Sequence, residues 1–332
     1  MKHLALGPGA MGFFMYLGAL SALQDDNALN ELETIHGASA GGLLAFIYLL
    51  TGRDVKQALD YSLTVPIKDI MKPNIKVLLK SYGLVSTKKV RKVLQEVTQK
   101  FAKQDDITFA ELYERVPVKL HISACCVDLY TTHYFSVDTT PNMSVLEAVC
   151  MTIAIPFLFQ SVRHGSWHYI DGGALEAIPG GPLIGKDPKS VLSFTIGGEW
   201  APGGVRDIKS YAISIVGAFM GLRHKYAEFP HIELDAGVTD TFDFGASNDG
   251  KFKLFITGYT TTKKYLCRVN GNDPACCHAD DSSPGDTASQ SVFVPSPEPG
   301  TTGSGTEDSA SSSIRHALDV RLLDSSVTPS TP

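Results

Sequence analysis

Thr34-Ile35-His36-Gly37-Ala38-Ser39-Ala40-Gly41-Gly42-Leu43-Leu44-Ala45-Phe46-Ile47-Tyr48-Leu49-Leu50 decides the architecture. A short β-like run, Thr34 to His36, meets a turn of small residues, and the apolar block Leu43 to Leu50 reads as a buried helix too short to span a bilayer. Toward the N terminus the same order occurs once more. His3 to Leu6 reads as a strand, Gly7-Pro8-Gly9-Ala10-Met11-Gly12 as a tight turn and Met11 to Leu23 as a helix. The chain thus begins β-α-β-α, and strands alternating with helices predict a three-layer α/β/α fold around a mostly parallel central sheet.

The uncharged run Leu4 to Leu23, preceded by Lys2 and His3, also has the length of a membrane span or signal peptide. Gly7-Pro8-Gly9 breaks it in its first third, so strand, turn and helix explain it better. Further along, Thr108-x-x-Glu111 and Ser144-x-x-Glu147 read as capping boxes. Helices are expected over 73–81, 87–103, 108–114, 144–154, Asp207 to Tyr226 and Lys253 to Leu266. Strands are expected at Val118 to Val127, His133 to Val137, His168 to Ile170, Val191 to Thr195 and His231 to Leu234.

The 332 residues carry a net charge of −6, but residues 267–332 hold 3 basic against 9 acidic residues, so the first 266 balance at 26 against 26. Nothing in that balance attracts nucleic acid. Residues 1–266 are expected to form one domain. Residues 267–332, rich in Ser, Thr, Pro, Gly and Asp, read as a disordered acidic tail. Six cysteines are few for a secreted disulfide scaffold, and Cys267, Cys276, Cys277 and His278 match no familiar zinc spacing. A cytoplasmic setting without a metal or other cofactor is expected.

Gly37-x-Ser39-x-Gly41 between strand and helix is the context of a nucleophile elbow, with Ser39 as nucleophile. Gly7-x-Gly9-x-x-Gly12 at the first strand's end resembles a dinucleotide turn, but the acid such a site wants at the end of the second strand is replaced by the Ser39 turn. A loop holding the oxyanion of a tetrahedral intermediate resolves the conflict. Pro8 has no N–H, which leaves Gly9 and Ala10 as the expected donors within the Gly7, Gly9, Ala10, Gly12 loop. A Ser-Asp-His triad on an α/β-hydrolase fold needs more strands before the elbow than 36 residues supply. Downstream, Asp171-Gly172-Gly173 closes a strand and offers a carboxylate base, though the same triplet is also a good turn signal.

These three motifs in this order resemble the patatin-like phospholipases. The resemblance extends to Asp106-Ile-Thr-Phe-Ala-Glu-Leu-Tyr113, the run from Ser144 through Pro156-Phe157, and Tyr169-Ile170-Asp171-Gly172-Gly173, covering about residues 1–266. It implies a serine lipid acyl hydrolase of phospholipase A or lysophospholipase type. Ser39 and Asp171 would form a dyad without histidine, working through an acyl-enzyme on a phospholipid or other acyl-lipid, with no metal. The same dyad would serve a transacylase, and the same fold a non-catalytic lipid-binding protein. Three departures stand out. Pro8 and Met11 occupy positions where the family has a glycine and a basic residue, and Ala177 stands where it has an asparagine.

Residues 68–103 hold ten Lys/Arg against Asp69 and Glu96. Lys72, Lys76 and Lys80 recur every four residues beside Ile75, Leu78, Leu79 and Tyr82, the pattern of a basic amphipathic helix. Its two readings are a peripheral membrane contact and a helix packed on the sheet with solvated lysines.

Overall fold

The computed structural model describes residues 1–74, 76, 78, 82–197, 211, 214–215, 229–236 and 241–271. In chain order these form β1 (His3–Leu6), α1 (Phe13–Asp25), β2 (Thr34–Gly37), α2 (Ala40–Leu50), α3 (Val55–Thr64), α4 (Ile67–Ile70), β3 (Gly83–Val85) and α5 (Thr87–Ala102). There follow α6 (Phe109–Arg115), β4 (Lys119–Cys126), β5 (Thr131–Phe135), α7 (Val145–Thr152), β6 (Phe157–Phe159), β7 (Val162–His164), β8 (Trp167–Ile170), β9 (Val191–Gly197), β10 (His231–Asp235) and α8 (Asn248–Val269).

The expected fold is present: a mostly parallel central sheet flanked by helices. β10, β9, β1, β2 and β4 run parallel in that order. β5, β8 and β7 join as antiparallel strands. Leu4, Leu6 and Ile35 pack into the main core, while Ala5 on the opposite face meets Ile178, Leu183, Val191 and Phe229. A separate pair, β3 and β6, runs parallel with Gly83 beside Phe157.

The uncharged run Leu4 to Leu23 has a soluble-core explanation. β1 is an inner strand, and α1 is buried along almost its whole length, as a helix apolar on all sides must be. α8 crosses it closely: a side chain at Gly18 would run into the Phe255 backbone, and one at Gly258 into that of Met15. Among the described residues no helix is long and apolar enough to cross a membrane.

Two capping signals resolve differently. Thr108 and Glu111 form the full reciprocal box. Ser144 accepts from Glu147 N–H at 3.2 Å, but the Glu147 carboxylate turns to His164 Nδ1 at 3.0 Å, leaving half a box. α3, absent from the sequence reading, opens with Asp54 accepting from the Gln57 N–H at 2.9 Å. That Asp-x-x-Gln spacing was a usable signal. The last helix starts at Asn248, before the Lys253 expected, and runs to Val269, past Leu266. The expected helices over 73–81 and from Asp207 to Tyr226, and the tail beyond residue 271, lie wholly or largely outside the described residues.

Candidate active site

Strand register brings Ser39 and Asp171 together. Ile122 of β4 pairs with Gly37 on one edge and Phe135 on the other, and Cys125 pairs with Thr132 and Ile170. Since β5 holds one edge throughout, β2 and β8 share the opposite edge. β2 runs toward the gap between them and ends at the Ser39 turn; the antiparallel β8 runs back toward it and ends at Asp171. Ser123 of β4 spans this gap, its Oγ donating to Gly37 O at 3.4 Å. Its own carbonyl lies where a side chain at Gly172 would go.

Ser39 sits at φ 53°, in the left-handed region that costs a non-glycine residue about 1–3 kcal/mol. The surroundings enforce it. A β-carbon at Gly37 would strike the Gly42 backbone and one at Gly41 the Leu6 backbone, so both glycines are needed for the close passage of β1, β2 and α2. Ser39 is the N-cap of α2, yet its hydroxyl makes none of the backbone bonds usual for a capping serine. It is 3 % exposed, and its N–H donates to Thr152 Oγ1 at 2.8 Å.

Asp171 is 1 % exposed and caps the short turn Gly172–Ala174, its Oδ1 accepting from Gly173 N–H at 2.8 Å. The turn reading is realised. Burial pushes its carboxyl up to about 7, against the opposing pull of hydrogen bonds from the Ser39 hydroxyl and the Gly173 N–H. Oδ2 is buried with no partner in full hydrogen-bond geometry. The hydroxyl is therefore within reach of the carboxylate but not aligned on Oδ2.

The end of α7 ties the two groups to one another. Thr152 receives the Ser39 N–H, and two residues on, Ala154 O receives the Asp171 N–H at 3.0 Å. The sequence reading missed Thr152, Ala154 and Ser123. Thr152 and Ala154 lie inside the Ser144 to Phe157 run that carries the resemblance and Ser123 inside an expected strand, but only the fold places them beside Ser39 and Asp171.

The glycine loop lies alongside. Gly7 N–H donates to Phe194 O at 3.0 Å, Met11 N–H to Thr241 O at 2.9 Å and Gly12 N–H to Gly9 O at 2.7 Å. Tyr16 fixes the loop by donating its hydroxyl to Pro8 O at 3.1 Å. Among the described residues, the N–H groups of Gly9 and Ala10 make no such bond, and Ala10 is itself held at φ 47°. Ala10, Met11 and Ser39 line one end of a cavity of about 160 Å³ whose walls are almost wholly apolar, among them Leu43, Tyr61, Val93 and Phe159. Ile67, Ile70 and Met71 on its rim are partly exposed. Lys72 and Lys76 are exposed nearby, Lys72 paired with Asp69 at 2.8 Å; Lys80 lies outside the described residues.

Known proteins resemble this chain in sequence and in fold. The model of the family described as patatin-like phospholipase matches residues 4–184, 181 of the 332. "Probable lipid hydrolase 463L" of Invertebrate iridescent virus 6 is 27% identical over 183 residues, 54% of this chain and 61% of that protein. "Uncharacterized protein R571" of Acanthamoeba polyphaga mimivirus is 25% identical over 177 residues, 52% and 58% of the two chains. The chain thus spans about three fifths of the length of these relatives. The crystal structure of VipD from Legionella pneumophila shares the fold with a TM-score of 0.56 and 18% identity, over 80% of this chain and 67% of that one. With a family match across more than half its length, including the glycine loop, Ser39 and Asp171, the chain belongs to the patatin-like phospholipase family.

Proposed function

We propose that the protein is a serine lipid acyl hydrolase in which Ser39 attacks an acyl ester and Asp171 is the general base. The observation that carries this reading is a strained serine at the end of an apolar cavity, its hydroxyl within reach of a buried carboxylate whose pKa stands near neutrality. An ordinary aspartate, with a pKa of about 3.9, is too weak a base to relieve a serine hydroxyl of its proton. One raised to about 7 lies where a base is most effective at physiological pH.

The acyl chain enters the cavity, which places its ester carbonyl at Ser39. Oγ forms a bond to the carbonyl carbon while its proton passes to Asp171 Oδ2. The resulting oxyanion accepts from the N–H groups of Gly9 and Ala10, with the N-terminal end of α2 adding favourable potential. Collapse breaks the bond to the leaving alcohol, which takes the proton from Asp171, and leaves an acyl-Ser39 ester. Water then gives a proton to Asp171 and attacks the ester. The second collapse releases the fatty acid and returns the proton to Ser39. An acceptor alcohol in place of water would make the same site a transacylase. Family membership and the apolar walls of this cavity, which suit an acyl chain, support a phospholipase A or lysophospholipase subtype.

Labelling by a fluorophosphonate with mass mapping tests the reading. The expected result is one adduct, on Ser39, and fatty-acid release abolished by Ser39→Ala and Asp171→Asn but retained in His224→Ala and His231→Ala. Absence of a Ser39 adduct, or dependence on either histidine, overturns it. Tight lipid binding without an adduct would instead identify a non-catalytic lipid-binding protein.

A further inference from the structure

Two large aromatic side chains stand exposed beside each other on the small β3–β6 sheet, whose Phe159 lines the cavity. Tyr82 is 69% and Phe157 52% exposed. Tyr82 directly precedes Gly83, which is the β3 partner of Phe157 on β6. Both are held in the left-handed region, at φ 62° and 66°. That conformation is a strong outlier for bulky residues, and two neighbours sharing it on one small sheet point to selection for something other than stability.

The small sheet is joined to the cavity on both strands. β6 follows Ile155 and contains Phe159, both in the cavity wall. β3 receives the rim segment through a bond from Asn74 N–H to Leu84 O at 2.7 Å. The chain flanking β3 carries exposed Lys68, Lys72, Lys76, Lys88, Lys89 and Lys92, with Asp69 as the single acid among the exposed described residues 64–92. Lys89 Nζ reaches Lys72 O at 3.5 Å, drawing the segment before β3 and the start of α5 into one basic rim.

We infer that Tyr82 and Phe157, together with these lysines, form the surface by which the protein lands on an anionic phospholipid bilayer with its cavity rim facing the lipid. Aromatic side chains favour the boundary between headgroups and acyl chains, and lysines beside them complement the negative surface of the leaflet. Charge selects this occupant: two bare aromatics beside a basic segment match a bilayer with acidic headgroups. This docking role rests on the lipid-hydrolase reading for its purpose but not for its measurement.

The test is vesicle sedimentation of the Ser39→Ala protein, so that hydrolysis plays no part, on vesicles of phosphatidylcholine mixed with phosphatidylglycerol and of phosphatidylcholine alone. Glycine tolerates a positive φ, so Tyr82→Gly with Phe157→Gly relieves the backbone while deleting the anchors. The double variant is expected to lose binding to the mixed vesicles by about tenfold or more with a melting temperature unchanged or higher. The joint change Lys72→Glu, Lys76→Glu, Lys88→Glu and Lys89→Glu is expected to remove the preference for mixed vesicles. Val269→Ser, which alters an exposed apolar residue beside Asn270, itself bonded to Asp26 beyond α1, serves as the unaffected control.

Unchanged vesicle binding in the aromatic variant overturns the inference. So does a lowered melting temperature with binding intact, which would make the aromatics structural. Loss of self-association in place of lipid binding would make the surface a contact between copies, and also overturns it. Fluorophosphonate labelling in the absence of vesicles reports on the hydrolase reading separately, so the two failures are distinguishable.

Discussion

Two buried polar clusters sit on the same sheet, and they manage burial in opposite ways. At the Ser39 end, the Asp171 carboxyl keeps Oδ2 without a full partner and is pushed up to about 7 by burial. Toward the other end of the parallel strands, His3 Nδ1 shares a 2.8 Å hydrogen bond with Thr34 Oγ1, which also meets His36 Nε2 at 2.8 Å. His36 stacks on His121 with ring centroids 4.4 Å apart. Burial holds His36 well below the usual histidine range and lowers His121 to about 4. Low dielectric favours the neutral form in both clusters. The histidines rest in the neutral form that burial favours, although His36 Nδ1, like Asp171 Oδ2, is buried without a partner. In the proposed mechanism the aspartate must lose its proton to act as a base, so its environment opposes the form that step uses.

The comparison breaks first at Asp171 itself. Asp171→Asn keeps the shape but removes the base, and fatty-acid release is expected to fall by about 10³-fold or more, a loss in the range general-base catalysis supplies. Wild-type activity is expected to rise as pH passes through about 7, where the carboxyl ionises in the folded state. The folded pKa is raised above its unfolded value, so this group's stability contribution is complete below about 4 and is lost as pH rises through about 7. The asparagine variant therefore gains stability at pH 8, by up to about 4 kcal/mol. Urea denaturation across pH checks the sign; equal stability of the two proteins at pH 8 would remove the strain from the account.

The histidines have the reverse slope. His121 is lowered from 6.5 to about 4 by burial, with Asp138 opposing and Lys119 assisting. Its contribution is whole above about 6.5 and is lost as pH falls toward 4, about 3 kcal/mol in all. Denaturation midpoints of Asp171→Asn between pH 7 and 4, with and without His121→Phe, isolate that slope from the aspartate's. A slope unchanged by His121→Phe would assign the acid sensitivity elsewhere.

A smaller effect sharpens the contrast at the active site alone. Thr152→Val leaves the Ser39 N–H buried without an acceptor, a penalty of about 1–3 kcal/mol. Fatty-acid release is expected to fall about tenfold or more in kcat with KM little changed, and Thr152→Ser is expected to restore it. A purely structural threonine would lower the melting temperature without this split.

The smallest effect is at the glycine loop. Ala10, at φ 47°, is expected to gain about 1 kcal/mol of stability as Ala10→Gly, with the N–H kept in place. A drop in the melting temperature would mean that the Ala10 methyl, at the cavity end, matters more for packing than its backbone conformation does.

Much of this was legible along the chain because it is local. The alternation of strand and helix through Leu50, the elbow glycines around Ser39 and the Asp171-Gly172-Gly173 turn each announce themselves within a few residues, since backbone sterics act at that range. The apolar run Leu4 to Leu23 was harder. Length and hydropathy alone suit a membrane span, and only the glycine break indicated an inner strand and a covered helix instead. α3 and the small β3–β6 sheet went unread, although Asp54-x-x-Gln57 marked the helix start.

By itself the sequence determined the parallel α/β framework and nominated Ser39, Asp171 and the glycine loop as candidates. The tertiary structure alone decided that β2 and β8 approach from opposite directions along one edge of β4, that Thr152, Ala154 and Ser123 lock the two turns together, and that walls from α1 to α5 and β6 close an apolar cavity over Ser39. The reason is physical. Strand direction, edge choice and cavity shape arise from contacts between residues far apart in the chain, and no local preference records which distant neighbour a side chain will meet.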